Sequence, residues 1–389
     1  MESLDAATRD ALDSDCRAVQ QAFTTGLSAR RIAAQDARFQ RWSDFRQQFN
    51  RKPFLGQASP PFHETDEDPI PWLLLWASRL RSGEAAARGR PLRSRAVEDS
   101  LRAVATAHTL VGRRDPRHTA TGLVDPRLAR LLKSYAKTDP QPTRVKPLPV
   151  PLLHRASAVA RNGATPFSEA VADCMWIAFF FLNRPGEYTA PTPDSAPFRL
   201  CDVSLWLHAA PLDIATASVA QLQAATFVAL TFTTQKNSVR GEKVGHGRSG
   251  DPIACPVLTI VRRILHLRLY HAPPDTPLCH VYSPMGRTMV RAKDITAILR
   301  QACHNSPEFN VPANSVTARS LRASGAMALL CQSVDPNIIR LLGRWRSDEM
   351  FRYLHLQAEP LMHGFAKRML LGGNYRLLPP DDPPGVPLL

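Results

Sequence analysis

Long apolar runs and paired cysteines are both missing from this chain of 389 residues. The longest apolar run, Met175 to Leu182, is too short to cross a bilayer, so we expect no membrane association. The seven cysteines are scattered with no C-x-x-C pair, which argues against a disulfide framework and a zinc site. Several lie in apolar runs, as buried free thiols do in a reducing compartment. Residues 1–30 are polar and acidic, and we therefore expect no secretory signal.

Positive charge is what the chain has in excess. Lys and Arg number 49 against 34 Asp and Glu, a formal net charge of +15. Residues 1–66 are balanced, whereas residues 67–147 carry 16 basic and 8 acidic side chains, and residues 148–389 carry 24 and 17. This charge favours a polyanionic partner such as nucleic acid, although an arginine-rich soluble protein of another kind has the same excess.

Composition and periodicity divide the chain into four parts. Residues 1–66 predict one or two amphipathic helices and a proline-rich, acidic linker. Residues 67–142 predict a helical domain, because Val97, Leu101 and Val104 follow a 3–4 spacing after a possible cap at Ser94. Five prolines in residues 138–151 exclude a helix and mark a boundary. Residues 143–376 mix helices with two or three short strands, and a proline-rich tail occupies 377–389. The predicted fold class is mainly α with a small antiparallel β-sheet.

The stretch from Val316 to His355 carries most of the chemistry. Arg319 and Arg322 lie three residues apart, so on a helix they would share one face. Asp335 can cap a second short helix, which Gly343 would end. The polar and aromatic residues that follow are Arg344, Trp345, Tyr353 and His355. Fixed cations near a hydroxyl nucleophile suit attack on a phosphodiester without a metal.

Two further motifs lie upstream. Thr165-Pro166 begins a strongly apolar helix that ends abruptly near Arg184 and Glu187. An Arg-x-x-Glu pair by itself is most often a solvated ion pair. Short strands are predicted at 199–205 and 226–233, followed by a turn at 235–238 and a glycine-bearing return at 242–250. Lys236 lies in this turn, at the tip of a hairpin after the longer strand.

Together these motifs resemble the tyrosine recombinase, or phage-integrase, family. Its pattern is Arg-x-x-Glu after a buried helix, a lysine on a β-hairpin, His-x-x-Arg, then Gly-His or Gly-Gly-Trp, and a tyrosine. Arg184 and Glu187, Lys236, Arg322, Gly343 and Tyr353 match these positions. The sequence GRWRSDEMFRY most resembles integrases of eukaryotic mobile elements of the DIRS and Crypton kind. The resemblance implies a helical core-binding domain followed by an α+β catalytic domain.

The family's chemistry implies a role for each matched residue. Tyr353 would attack the phosphate and form a 3′-phosphotyrosyl link, without metal, ATP or other cofactor. Arg184 and Arg322 would bind the phosphate, with Arg319 and Arg344 as further donors. Lys236 would be the general acid, with Lys243 as the alternative. Glu187 would hold Arg184, and Trp345 and His355 would support the site. The implied partner is double-stranded DNA bound by a homotetramer, in the nucleus of a eukaryotic host or otherwise in the cytoplasm or nucleoid.

The chain departs from the family at both histidine positions, which Arg319 and Arg344 occupy. Arginine does not act as a base near neutral pH. The proton of Tyr353 would pass to water, to the phosphate, or to His355 or His246. Taken singly, Tyr353 is more often a packing residue and the arginines are more often surface ion pairs. Two alternative functions stay open, a DNA-binding relic of the fold and an enzyme like a type IB topoisomerase.

Overall fold

The computed structural model describes residues 5–25, 29–55, 68–141, 145–192, 195–233, 241–284 and 286–345. The chain forms two compact units, Met1–Pro142 and Thr143–Leu389, which divide within the proline-rich segment 138–151. Helices predominate and the sheets are small and antiparallel, so the predicted fold class is confirmed. Among the described helices, none combines the length and apolarity needed to span a membrane.

The first unit is entirely helical within its described residues. Its helices are α1 (Ala6–Thr25), α2 (Ala29–Gln47), α3 (Pro69–Ser82), α4 (Ser94–Leu110) and α5 (Pro126–Thr138). Helices α2 to α5 enclose an aromatic core in which Trp42 and Phe45 of α2 pack against Trp76 of α3. Trp42 and Phe45 precede the division predicted at residue 66, and they share this core with residues of α3.

Side-chain caps fix the ends of these helices. Asp68 accepts the Ile70 N–H at 3.0 Å at the start of α3, and Asp125 accepts the Arg127 N–H at 2.8 Å at the start of α5. The Arg127 guanidinium bonds both carboxylates, so the two helix starts are joined.

Ser94 does not cap α4, contrary to the sequence prediction. The cap residue is Arg93, which makes no side-chain hydrogen bond to the helix. The Ser94 N–H instead donates to the Asp139 carboxylate at 2.9 Å, from 45 residues further along the chain. A long-range acceptor has replaced the local cap, which no short-range pattern reveals.

The second unit combines eight described helices with two sheets. The helices are α6 (Val150–Arg161), α7 (Pro166–Phe180), α8 (Pro185–Tyr188), α9 (Val219–Ala224), α10 (Pro256–Leu269), α11 (Ala292–His304), α12 (Ser320–Cys331) and α13 (Pro336–Leu342). Single 3-10 turns occupy Leu200–Asp202, Pro307–Phe309 and Ala313–Ser315.

Helix α7 is the centre of this unit. Residues 170–179 are all buried, whichever way they point, as expected of a helix surrounded by other elements. Thr165 accepts the Ser168 N–H at 3.1 Å and so caps the helix, as the sequence predicts. Helices α6, α10 and α12 and strand β5 pack around α7.

The larger sheet has four antiparallel strands in the order β2-β1-β3-β4. They are β1 (Val203–Leu207), β2 (Ala210–Leu212), β3 (Phe227–Phe232) and β4 (Glu242–Gly247). Strands β3 and β4 pair from Phe227 opposite Gly247 to Phe232 opposite Glu242. The smaller sheet is a hairpin of β5 (His280–Ser283) and β6 (Gly286–Met289).

Helix α12 crosses α7 at very close range. A Cβ on Gly325 of α12 would lie 2.2 Å from the backbone oxygen of Phe179 in α7. Glycine is therefore needed here for space, and it allows α12 to bring Arg322 to the carboxyl end of α7.

Candidate active site

Three distant segments of the second unit meet at the carboxyl end of α7. The helix ends at Phe180, and Leu182 then takes a left-handed conformation with φ of +48°. This turn leaves the carbonyls of Phe181 and Leu182 at the negative pole of the helix, where cations are stabilised. Basic side chains from α12 and from the turn after α13 fill this position.

Arg184 and Glu187 form a reciprocal pair at the start of α8. The Glu187 carboxylate accepts the Arg184 backbone N–H at 2.8 Å through Oε2. Its Oε1 accepts Nη1 of the Arg184 guanidinium at 3.2 Å. Glu187 is buried, whereas 30% of the Arg184 side chain remains exposed. The arrangement fixes a cation at the surface by means of a buried carboxylate.

Arg322 reaches the same point from α12. Its Nη1 donates to the Leu182 carbonyl at 2.6 Å, a contact between residues 140 positions apart. Its Nη2 donates to the carbonyl of Gly343. The planar guanidinium thus bridges the end of α7 and the end of α13, and the residue is only 4% exposed.

Trp345 covers this bridge. Its ring centroid lies 4.1 Å from the Arg322 guanidinium carbon, within the range of a cation–π contact. A Cβ on Gly343 would lie 1.6 Å from Cζ3 of the same ring. Gly343 has an ordinary φ of −80°, so its backbone conformation does not require glycine. The space taken by the Trp345 ring does.

Arg344 is the residue that takes the left-handed conformation, with φ of +57°. This turn sends the side chain inward, where it is 2% exposed and lies 3.7 Å from the Phe232 ring centroid. Nη2 donates to Glu187 Oε2 at 3.2 Å and to the Leu182 carbonyl at 3.3 Å. Burial lowers the pKa of Arg344 to about 10, while the nearby Glu187 carboxylate opposes this effect. The predicted phosphate donor is therefore enclosed by protein acceptors.

Arg319 and Arg322 lie in different environments, because Arg322 is buried and Arg319 is not. Helix α12 begins at Ser320, so Arg319 lies outside it as the cap residue and is exposed. The preceding Ala318 carbonyl accepts the hydroxyl of buried Tyr188 at 2.9 Å, which anchors this start to α8. Burial raises the pKa of the Tyr188 phenol well above its usual value.

Three predicted site residues, Lys236, Tyr353 and His355, lie outside the described residues. Lys243, the alternative to Lys236, is exposed on β4 opposite Thr231. Within the described ranges, no three His, Cys, Asp or Glu side chains are grouped so that they could hold a metal ion.

His246, one of the bases considered above, packs on the same turn. Its ring centroid lies 4.8 Å from that of Phe181, and burial lowers its pKa. Its Nε2 is enclosed and has no hydrogen-bond partner among the described residues. A substrate proton cannot reach this nitrogen in the present arrangement.

The sequence did not reveal the groups that accept hydrogen bonds from the arginines. The acceptors are mainly backbone carbonyls, those of Phe181, Leu182 and Gly343. Every residue has a backbone carbonyl, so the identity of a residue does not show whether its carbonyl is an acceptor. The abrupt end of the apolar run before Arg184 was the one signal that a helix end lies here.

The chain is similar to solved tyrosine recombinases. A Tn1549 transposon integrase in complex with transposon right end DNA has a TM-score of 0.46 at 12% identity, over 81% of this chain and 89% of that one. XerA recombinase has 0.36 at 13% identity, over 88% and 100%. A lambda integrase tetramer bound to a Holliday junction has 0.34 at 11% identity, over 81% and 76%. At these values the likeness does not say which residues act. No family model and no curated protein matches the chain.

Proposed function

We propose that this chain is a DNA strand transferase of the tyrosine recombinase kind, a site-specific recombinase or integrase. The observation that carries the proposal is the convergence at the end of α7. Arg322 and Arg344 share the Leu182 carbonyl, and Glu187 joins Arg344 to the partly exposed Arg184. Three guanidinium groups gather at this turn, and the carboxylates that act on them are those of Glu187 and Glu242. The remaining excess positive charge favours an anion such as a backbone phosphate.

The proposed reaction uses two residues outside the described ranges. The Tyr353 oxygen bonds to phosphorus, and the bond from phosphorus to the 5′ oxygen breaks. Lys236 supplies the proton that this leaving oxygen takes up, while the phenol proton passes to water or to the phosphate. The new phosphotyrosyl link retains the ester, so reversal rejoins the strand without ATP.

The arginines differ in how readily they meet a phosphate. Arg184 and Arg319 already reach the surface. Two N–H groups of Arg322 are bonded to the carbonyls of Leu182 and Gly343, and the residue is only 4% exposed. A phosphate oxygen would therefore have to enter this buried position or replace one of these carbonyls. We therefore assign the first phosphate contact to Arg184. Arg322 would contact the phosphate later, when the protein closes around the DNA.

The remaining assignments extend the same proposal. The partner is double-stranded DNA, bound by a homotetramer, and the basic helices of the first unit supply a DNA-binding surface. The DNA that the protein recombines would belong to a mobile element of the DIRS or Crypton kind, and the protein would therefore act in the nucleus of its host.

A DNA-binding relic of the fold is the second candidate. It is favoured by Arg319 and Arg344 at the family's histidine positions and by the carbonyl bonds that occupy Arg322. Such a protein would bind duplex DNA without cutting it.

Covalent trapping on a nicked suicide duplex, in EDTA, distinguishes the two. The duplex would come from the ends of the mobile element, and the adduct would be resolved by denaturing electrophoresis. We expect an adduct with the unchanged chain and none with Tyr353→Phe. The matched control is Tyr270→Phe, because Tyr270 is an exposed tyrosine at the end of α10.

Each outcome decides between named functions. Duplex binding without any adduct would reject strand transfer and support the relic. An adduct that persists in Tyr353→Phe would reject the assignment of the nucleophile. Supercoil relaxation without strand exchange would select the topoisomerase-like enzyme.

A further inference from the structure

Arg344 occupies a position at which the resemblance implies a phosphate donor, yet its contacts are all with the protein. Nη1 donates to the carbonyls of Phe181 at 3.2 Å and Leu342 at 3.0 Å. Nη2 donates to the Leu182 carbonyl, to Asn183 Oδ1 at 3.4 Å and to Glu187 Oε2. Nε has no hydrogen-bond partner among the described residues, but it is enclosed, and the guanidinium packs on the Phe232 ring. Arg344 therefore presents no exposed N–H to a ligand outside.

The backbone at Arg344 is strained in order to achieve this. A left-handed conformation brings Cβ of an ordinary residue too close to the neighbouring carbonyl oxygen and is unfavourable. Two backbone bonds hold the turn, from the Arg344 N–H to the Leu341 carbonyl at 2.9 Å and from the Trp345 N–H to the Arg340 carbonyl at 3.0 Å. The turn therefore directs this side chain into the protein and keeps it there.

Glu187 is the group that connects the buried arginine to the exposed one. Its Oε2 receives Arg344 and the Arg184 backbone N–H, and its Oε1 receives the Arg184 guanidinium. A carboxylate with both oxygens bound cannot rotate without breaking one of these bonds. Arg344 shares Oε2 with the Arg184 backbone N–H, so its contact helps to fix the carboxylate whose other oxygen orients the Arg184 guanidinium.

We infer that Arg344 is a positioning residue, which fixes Glu187 and through it aims Arg184, and that it does not contact DNA. This inference deepens the proposed function, since Arg184 is the proposed first phosphate contact. Arg199 serves as a comparison within the same chain, because it forms the same Arg-x-x-acid pair with buried Asp202. Among the described residues, no second arginine binds the Asp202 carboxylate.

The first test needs no DNA and does not depend on the reaction. The full chain and its Arg344→Met variant are treated with phenylglyoxal, and the rate of modification of Arg184 and Arg199 is measured by mass spectrometry. We expect the Arg184 rate to rise several-fold in the variant while the Arg199 rate stays unchanged. Arg344→Lys, which keeps a cation beside Glu187, should give an intermediate rate. An unchanged Arg184 rate, or an equal rise at both sites, would overturn the inference.

The second test is a double-mutant cycle on the rate of adduct formation at saturating duplex. Arg344→Met should slow the reaction about 10- to 100-fold when Arg184 is present, as a misplaced contact does. In an Arg184→Met background the same change should have almost no further effect. Equal effects in both backgrounds would show a merely structural role.

Arg263→Met is the matched control for lost stability. Arg263 is also buried in the second unit and donates to two carbonyls, those of Leu278 and His280. Its loss should lower the thermal midpoint without changing the Arg184 labelling relative to Arg199. If the unchanged chain forms no adduct, the proposed function fails, while the labelling result still decides the role of Arg344.

Discussion

Both units bury arginine against aromatic rings, but they do so in different ways. In the first unit Arg46 lies 4.3 Å from the Trp72 ring centroid and donates to the Lys52 carbonyl at 3.0 Å. In the second unit Arg322 and Arg344 each lie over a ring and also share one carbonyl. A single buried arginine closes the edge of a core. Several that converge on one point gather charge that the surrounding protein does not fully neutralise.

The difference indicates which unit carries the candidate chemistry. A buried cation is costly unless acceptors surround it, and bringing a second cation to the same acceptor raises this cost. In the second unit this arrangement comes with a surface arginine, Arg184, beside it. Substitutions in the two units are expected to show this difference as unequal losses of stability.

Arg322→Met should have the largest effect on stability. The change removes two charge-assisted hydrogen bonds and the contact with Trp345, and it should lower the free energy of unfolding by about 3 kcal/mol. Urea unfolding followed by tryptophan fluorescence measures this change. A loss as small as that of Arg46→Met would remove the distinction between the two units.

Gly325→Ala should separate α12 from α7 without altering any arginine. The added Cβ meets backbone at 2.2 Å, and the resulting shift should cost about 2 kcal/mol even after the gain in helix propensity. Gly247→Ala is the control, because there the nearest atom lies 3.9 Å away. Equal unfolding midpoints for the two variants would contradict the close crossing.

Arg46→Met should cost less, about 1 kcal/mol, because methionine retains much of the apolar contact with Trp72. The same urea experiment applies, with unfolding of the first unit as the readout. A cost above that of Arg322→Met would reverse the comparison.

Acid should give the smallest effect, through the histidines whose pKa burial lowers, His108 in the first unit and His246, His266 and His280 in the second. His266 accepts the Tyr282 N–H at 3.0 Å, and burial lowers its pKa to about 4; His108 accepts the Leu55 N–H at 2.7 Å and its pKa is also lowered by burial. A lowered histidine pKa means that the unfolded chain binds the proton more tightly. Stability should therefore rise from pH 4 to about 6.5 and then level off.

For His266 this contribution is about 1 kcal/mol, because the ring is half exposed and its charge is partly screened. His266→Gln keeps an acceptor for Tyr282 and should flatten the pH dependence between pH 4.5 and 7. Urea midpoints at the two pH values measure it. An unchanged slope would assign the acid sensitivity to other groups.

Local sequence signals predicted the elements well and the environment of the arginines poorly. Thr165 and Asp335 cap α7 and α13 as expected, because a cap depends only on neighbouring residues. Arg319 and Arg322 were expected together, but tertiary packing separates their environments, because Arg322 is buried and Arg319 is exposed. Arg344 turns inward through a backbone conformation that arginine rarely adopts.

The acceptors at the end of α7 also bear on how such a site would change over time. An oxygen of the main chain persists when its side chain is replaced, provided that the new residue fits the same space and the same φ and ψ. Phe181 and Leu182 are thus free to vary among apolar residues of similar volume while the two guanidinium groups keep their anchor. Substitution at these positions would lower the sequence similarity around the site and leave the carbonyl acceptors in place.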